Sequence, residues 1–253
     1  MEEKYTIAED FELPSKALIY GTPFDYHVRL KSMTIRDEMK RTAPSSTVHK
    51  NLCEIIDSCL LTKLPLSVYD MCVGDYEYLL HKLRVTTYGP EYKIVVGCPH
   101  CKKVHEETAN LDALKIKEFD PQVFASCLEL TLPVCGKKVK LRIQTPRILD
   151  NIDTKVQEFK KKNPNIACDP TDLITLQEMI DTVEDNKLSY IELETFINNL
   201  SARDSNYIKN KIDKANLMIG LGNELDVTCK VCGGDIKTYF RFGPEFFRPT
   251  NDE

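Results

Sequence analysis

The rhythm of apolar and polar positions changes several times along the chain, and each change predicts an element. Up to about residue 35 the pattern is extended: Phe11-Glu12-Leu13 and Tyr26-His27-Val28-Arg29-Leu30 place apolar side chains at every second position. Val48, Leu52, Ile55, Ile56, Cys59 and Leu60 then recur at spacings of four and three, the stripe of a helix that packs on something. Ser67 offers an N-cap with an acid, Asp70, three positions on. Gly74-Asp75 restarts a helix carrying Leu79, Leu80 and Leu83. Gly89-Pro90 closes that helix, because glycine accepts a left-handed cap and proline cannot continue the turn. Residues 92–96 are a strand. The alternating runs 128–132 and 138–143 flank Cys135-Gly136-Lys137 as a hairpin that continues the same sheet. From about 147 to 220 the period is helical: Ile148, Ile152, Val156, Phe159; then Leu173, Ile174, Ile180, Val183; then Ile208, Ile212, Ala215, Ile219. The expected fold is α+β. It comprises an N-terminal domain over 1–146, a helical insertion over 147–220, and a segment over 221–253 that returns to the first domain and ends in an aromatic tail.

Chemistry enters with two short cysteine pairs, Cys98-Pro99-His100-Cys101 and Cys229-Lys230-Val231-Cys232, about half the chain apart. Each follows a strand-like run and has the form of a knuckle turning one strand into the next. Together they supply Cys98, Cys101, Cys229 and Cys232, the four thiolates of one tetrahedral zinc site in a zinc-ribbon-like arrangement. A redox dithiol is the competing reading. Such a pair works alone and opens a helix, whereas here there are two and the residues after each look extended. Four cysteines close the coordination sphere, so the zinc is structural, with no position open for water. His100 and His105 could replace a thiolate, but solvent exposure is the commoner state of a histidine beside a knuckle.

Composition narrows the function. With 253 residues, a 42% hydrophobic share and a net charge of -5, the chain can build a real core and lacks the basic surface that broad nucleic-acid binding needs. No stretch approaches a membrane span, and the opening residues lack a secretory leader's charge and apolar run, so the protein is expected to stay where it is made. The six cysteines outside the knuckles read as small core residues, with Cys53 and Cys59 on a helix, Cys72 near Met71 and Cys127 in a strand. Lys160-Lys161-Lys162 reads as a solvated helix end. Residues 181–192 imitate a calcium loop, but Val183 and Asn186 stand where a ligand and a glycine are needed, and Ser189 with Glu192 reads as a capping box. No phosphate loop, dinucleotide fingerprint, nucleophile elbow or zinc-protease motif is present. His49 and His81, on helices beside lysines, read as exposed, and the adjacent Asp37 and Glu38 point in different directions, a poor start for shared acid–base work. The residues thus point away from an enzyme. The last stretch, with Phe242, Phe246 and Phe247 among Pro and Arg, is expected either to fold back on the core or to dock on a partner.

Several short motifs recur in a familiar order. They are Leu13-Pro14-Ser15-Lys16 with Ile19-Tyr20-Gly21, Met33-Thr34-Ile35-Arg36-Asp37-Glu38, Val73-Gly74-Asp75 with Leu79-Leu80 and Leu83-Arg84, and Thr87-Tyr88-Gly89 with Glu91-Tyr92. The first knuckle and the closing Glu245-Phe246-Phe247-Arg248-Pro249 complete the set. In this order the chain resembles the baseplate hub subunit and hub-assembly proteins of T-even-type contractile-tailed bacteriophages. The resemblance is weakest over 147–220. It implies a non-enzymatic part that builds the hub with other tail baseplate proteins, in the virion or in the host cytoplasm during assembly. It transfers no catalytic residue, and the zinc expectation rests on the four cysteines alone. Two rival functions follow from the cysteines themselves: a zinc-ribbon nucleic-acid adaptor, and a thiol oxidoreductase.

Overall fold

The computed structural model describes residues 6–45, 47–165, 167–240 and 244–247. Strands β1 (Ala8–Glu12) and β2 (His27–Lys31) pair antiparallel. Val28 and Leu30 point into the core while His27 and Arg29 face out, as the alternation requires. Helices α1 (Ile35–Thr42) and α2 (Val48–Cys59) follow. On α2 the stripe is buried at Cys53, Ile55, Ile56 and Cys59, but Val48 at its N-terminal end is exposed. Thr47 makes no capping bond to α2. The cap comes instead from Asp150, whose carboxylate accepts the N–H groups of His49 at 3.2 Å and Lys50 at 2.8 Å from a hundred residues away.

Ser67 caps only a 3-10 turn, Val68–Asp70, and Asp70 turns to Arg147 at 2.6 and 2.8 Å. Helix α3 (Val73–Tyr88) then runs through the first core with buried residues on every side, and Gly89 ends it at φ 83°. A helix without a polar face must hydrogen-bond its buried polar side chains internally. Asp75 accepts the N–H of Ser15 at 3.0 Å, the Ser15 hydroxyl at 2.5 Å and the Tyr20 hydroxyl at 2.6 Å. Arg84 is fully buried and donates to the carbonyls of Gly89 at 2.7 Å, Glu91 at 3.0 Å and Phe246 at 3.0 Å. His81, expected at the surface, is 1% exposed with Nε2 3.1 Å from the Leu111 carbonyl, because α3 is covered on the face that carries it.

Strands β3 (Glu91–Gly97) and β4 (Val104–Asn110) form one hairpin, and β8 (Glu224–Thr228) and β9 (Asp235–Tyr239) another. Both pack on the first core, along with Phe246 and Phe247 of the closing segment, which therefore folds back. Phe242, Arg248 and Pro249 lie outside the described residues. Between the hairpins lie α4 (Pro121–Leu128), β5 (Glu129–Thr131), β6 (Lys138–Leu141), α5 (Pro146–Lys162), α6 (Thr171–Met179), β7 (Ile180–Val183), α7 (Tyr190–Asn198) and α8 (Ala202–Met218). Cys127 sits in α4, not a strand: Asp120 caps that helix and Pro121 starts it. Ile180 and Val183, read as helical, lie on β7, which pairs with β6. The hairpin β5–β6 does not continue the β3–β4 sheet. It joins β7 in a separate three-stranded sheet, because Leu130, Val139 and Leu141 find their apolar partners on α5, α6 and α8. Ser189 and Glu192 make the expected capping box on α7.

A third, smaller cluster of Cys72, Phe124, Cys127, Ala215 and Ile219 forms where α3 begins and α8 ends. A Cβ on Gly74 would come within 2.6 Å of the Ile219 carbonyl oxygen, so only glycine admits this approach of the two backbones. Asp204 at the start of α8 accepts the N–H groups of Val134 at 2.8 Å and Cys135 at 3.2 Å, fixing the β5–β6 turn.

Two predictions follow from α3. Arg84→Lys keeps the charge but cannot reach three carbonyls from one flat fork, so a loss on the order of 2–4 kcal/mol is expected in urea unfolding. Burial holds His81 down at about 4, against about 6.5 when unfolded. The unfolded chain therefore binds the extra proton first, and stability falls as pH drops from about 6.5 towards 4, by on the order of 3 kcal/mol once below that range. His81→Phe should flatten the pH dependence of the unfolding midpoint in that window.

Candidate metal centre

The two knuckles have the same backbone. In the first, the N–H of Cys98 donates to the Lys103 carbonyl at 2.9 Å and that of Lys102 to the Cys98 carbonyl at 3.0 Å. In the second, Cys229 donates to Gly234 at 2.9 Å and Gly233 to Cys229 at 2.8 Å. The residue after each second cysteine is left-handed, Lys102 at φ 61° and Gly233 at φ 71°. That conformation closes each loop tightly enough for both sulfurs to point inward.

The hairpins bring the four sulfurs together. Cys98 and Cys232 stand 3.7 Å apart, Cys101 and Cys229 3.9 Å, and all four ligand atoms lie within 4.8 Å of one another. These separations are too long for disulfides. They match a tetrahedron of sulfurs about 2.3 Å from a central zinc, whose edges are about 3.8 Å. The donor set therefore fits a closed metal site, with Cys98 and Cys229 buried and Cys232 at the surface.

Electrostatics favours the same reading. The N–H of Cys101, helped by that of His100 and by neighbouring thiols, draws the Cys98 thiol down to about 6. The N–H of Gly234 also favours the Cys232 thiolate, yet partial desolvation and the sulfurs of Cys229, Cys98 and Cys101 push that thiol up to about 11. Four thiols this close resist shedding all their protons unless a cation shares the site.

Two histidines border the cluster. His100 is exposed as expected, with Nε2 3.1 Å from the Asp235 carbonyl oxygen of the other hairpin. Its ring lies where a Cβ on Gly234 would be, 2.5 Å from Cδ2. His105 is not the exposed histidine expected: its side chain is 11% exposed, with Nε2 3.4 Å from the Cys229 sulfur and 2.8 Å from Glu107 Oε1. Alternation carried the missed signal, since His105 and Glu107 are two apart on β4 and share the face of buried Ala109. Of the remaining cysteines, Cys53, Cys59, Cys72 and Cys127 are buried, whereas Cys135 and Cys168 are exposed rather than core residues because both sit in loops.

A family model described as T4 bacteriophage base plate protein matches residues 7–248. The chain belongs to that family. Searches of curated proteins and of solved structures give no match. As a T4-type baseplate protein it has its place in the tail of the virion, among other baseplate components. Among the described residues no helix is long and apolar enough to cross a membrane.

Gly234→Ala should displace the His100 ring and lower stability by about 1 kcal/mol. His100→Ala should then cost nothing further in the Gly234→Ala background, a coupling that a double-mutant cycle of unfolding free energies reads directly.

Proposed function

We propose that this baseplate protein is a non-enzymatic structural or assembly component of the baseplate hub, with Cys98, Cys101, Cys229 and Cys232 holding one structural zinc. The observation that carries the proposal is the meeting of four sulfurs from two matching knuckles at tetrahedral spacing. When bound, zinc supplies a cross-link between the two hairpins. The chain's own residues form the loops, direct the sulfurs inward and neutralise part of their charge with backbone N–H groups. Metal binding at such a site is part of folding.

This clasp ties the region before residue 146 to the return over 221–253 and holds the intervening segment 147–220 in one orientation. The first core, shared by residues 13–114 and 225–247, supports the return of the last segment, while the hairpin β5–β6 packs with the intervening helices. A part of fixed shape suits docking into a symmetric assembly with other hub proteins. The same proposal has the protein in host cytoplasm before it is built into the particle. The net charge of -5 weighs against a nucleic-acid adaptor, and four clustered thiols weigh against a redox pair working alone.

Cys98→Ser and Cys232→Ser should each lower zinc content and the thermal midpoint together, the latter by roughly 5–10 °C for a loss of a few kcal/mol. Less than one zinc per chain in protein purified without chelator would remove the clasp. The hub role is tested by affinity purification from infected cells: recovery with tail hub proteins supports it, and salt-sensitive recovery with DNA or RNA instead overturns it.

A further inference from the structure

Beyond the four cysteines, we propose that His105 and Glu107 form an outer shell that holds the Cys229 sulfur and governs how firmly the cluster retains its metal. The inference rests on the zinc reading above. His105 and Glu107 are side by side on one face of β4 and nearly buried, at 11% and 9% side-chain exposure. His105 Nε2 lies 2.8 Å from Glu107 Oε1 and 3.4 Å from Cys229 Sγ. A carboxylate and a thiolate both only accept, so Nε2 carries the proton and donates between them. Glu107 Oε1 also accepts the N–H of Lys230 at 2.7 Å, the residue next to Cys229. That N–H, more than any other group, keeps the Glu107 carboxyl below its usual range, and His105 adds to it. One carboxylate thus fixes both the knuckle backbone and the ring that faces the sulfur.

The arrangement differs from a second metal site. Two ligand atoms about 2.0–2.1 Å from one tetrahedral ion stand about 3.3 Å apart. Here nitrogen and oxygen are at 2.8 Å, a hydrogen-bond distance, and the oxygen already holds a backbone N–H. The two knuckles share a backbone, and Cys229 in addition receives a side chain from the opposite hairpin. This contact on the Cys229 sulfur forms only when the two hairpins are seated together. Ligand-facing partners of this kind typically change metal affinity by about 10–100-fold when removed.

The test uses the full chain loaded with Co2+, whose thiolate-to-metal charge-transfer band reports electron density on sulfur. His105→Phe should shift that band and speed metal release to a chelator by roughly tenfold or more. His105→Gln, which restores an N–H at similar reach, should recover both values. Glu107→Ala should also speed release. An unchanged band and release rate in His105→Phe, a His105→Gln variant no better than His105→Phe, or two ions per chain would overturn the proposal. If His105→Phe does not fold, the band and release rate of Glu107→Ala against wild type decide it. Failure of the wild-type protein to take up any metal overturns the clasp itself, a separate result.

Discussion

A buried guanidinium holds the first core in register. Among the described residues Arg84 has no carboxylate partner; its charge is spread over three carbonyls, those of Gly89, Glu91 and Phe246, with the rings of Tyr88 and Tyr92 5.1 and 5.9 Å from its carbon. Removing a charge from water is costly unless every donor is satisfied, so the three segments are bound to one position. Gly89 and Glu91 set where β3 starts, and β3 leads into the first knuckle. Phe246 lies beyond the second knuckle and packs tilted against Tyr92 and Phe240. Both halves of the cysteine cluster are therefore referred to one side chain of α3.

The same economy of means appears in the aspartates. Asp150 caps α2 from α5, Asp204 holds the β5–β6 turn from α8, and Asp75 fixes the turn at Ser15 from α3. In each case a carboxylate accepts N–H groups from a segment 60 or more residues away. Such bonds are charge-assisted and directional, so they fix position where apolar packing alone would allow slippage.

Where the sequence misled, the reason was tertiary each time. Helical spacing at 173–183 was broken by pairing with β6, since four residues carry both periods equally well and the neighbouring strand decided between them. His81 stood beside a lysine on a helix, a surface signature, but α3 is covered on all sides. Cys135 and Cys168 lie in loops outside the buried clusters, whereas Cys72 leads directly into α3 and is buried, a difference that residue type alone does not reveal. His105 was legible in principle from its place two residues before Glu107, yet only the seating of β8 beside β4 brings Cys229 to it.

By itself the sequence determined the two knuckles, because the spacing of two cysteines and the turn between them is local chemistry and needs no partner. It likewise determined the hairpins around them, the caps at Gly89 and Ser189, and the ordered motifs of the baseplate family. Tertiary structure alone decided that sulfurs half a chain apart converge to 3.7 and 3.9 Å, that Arg84 ties both ends to α3, and that His105 faces Cys229. Those contacts join residues with no relation in sequence, and only the shared burial of their segments against one core brings them within hydrogen-bonding or ligand distance.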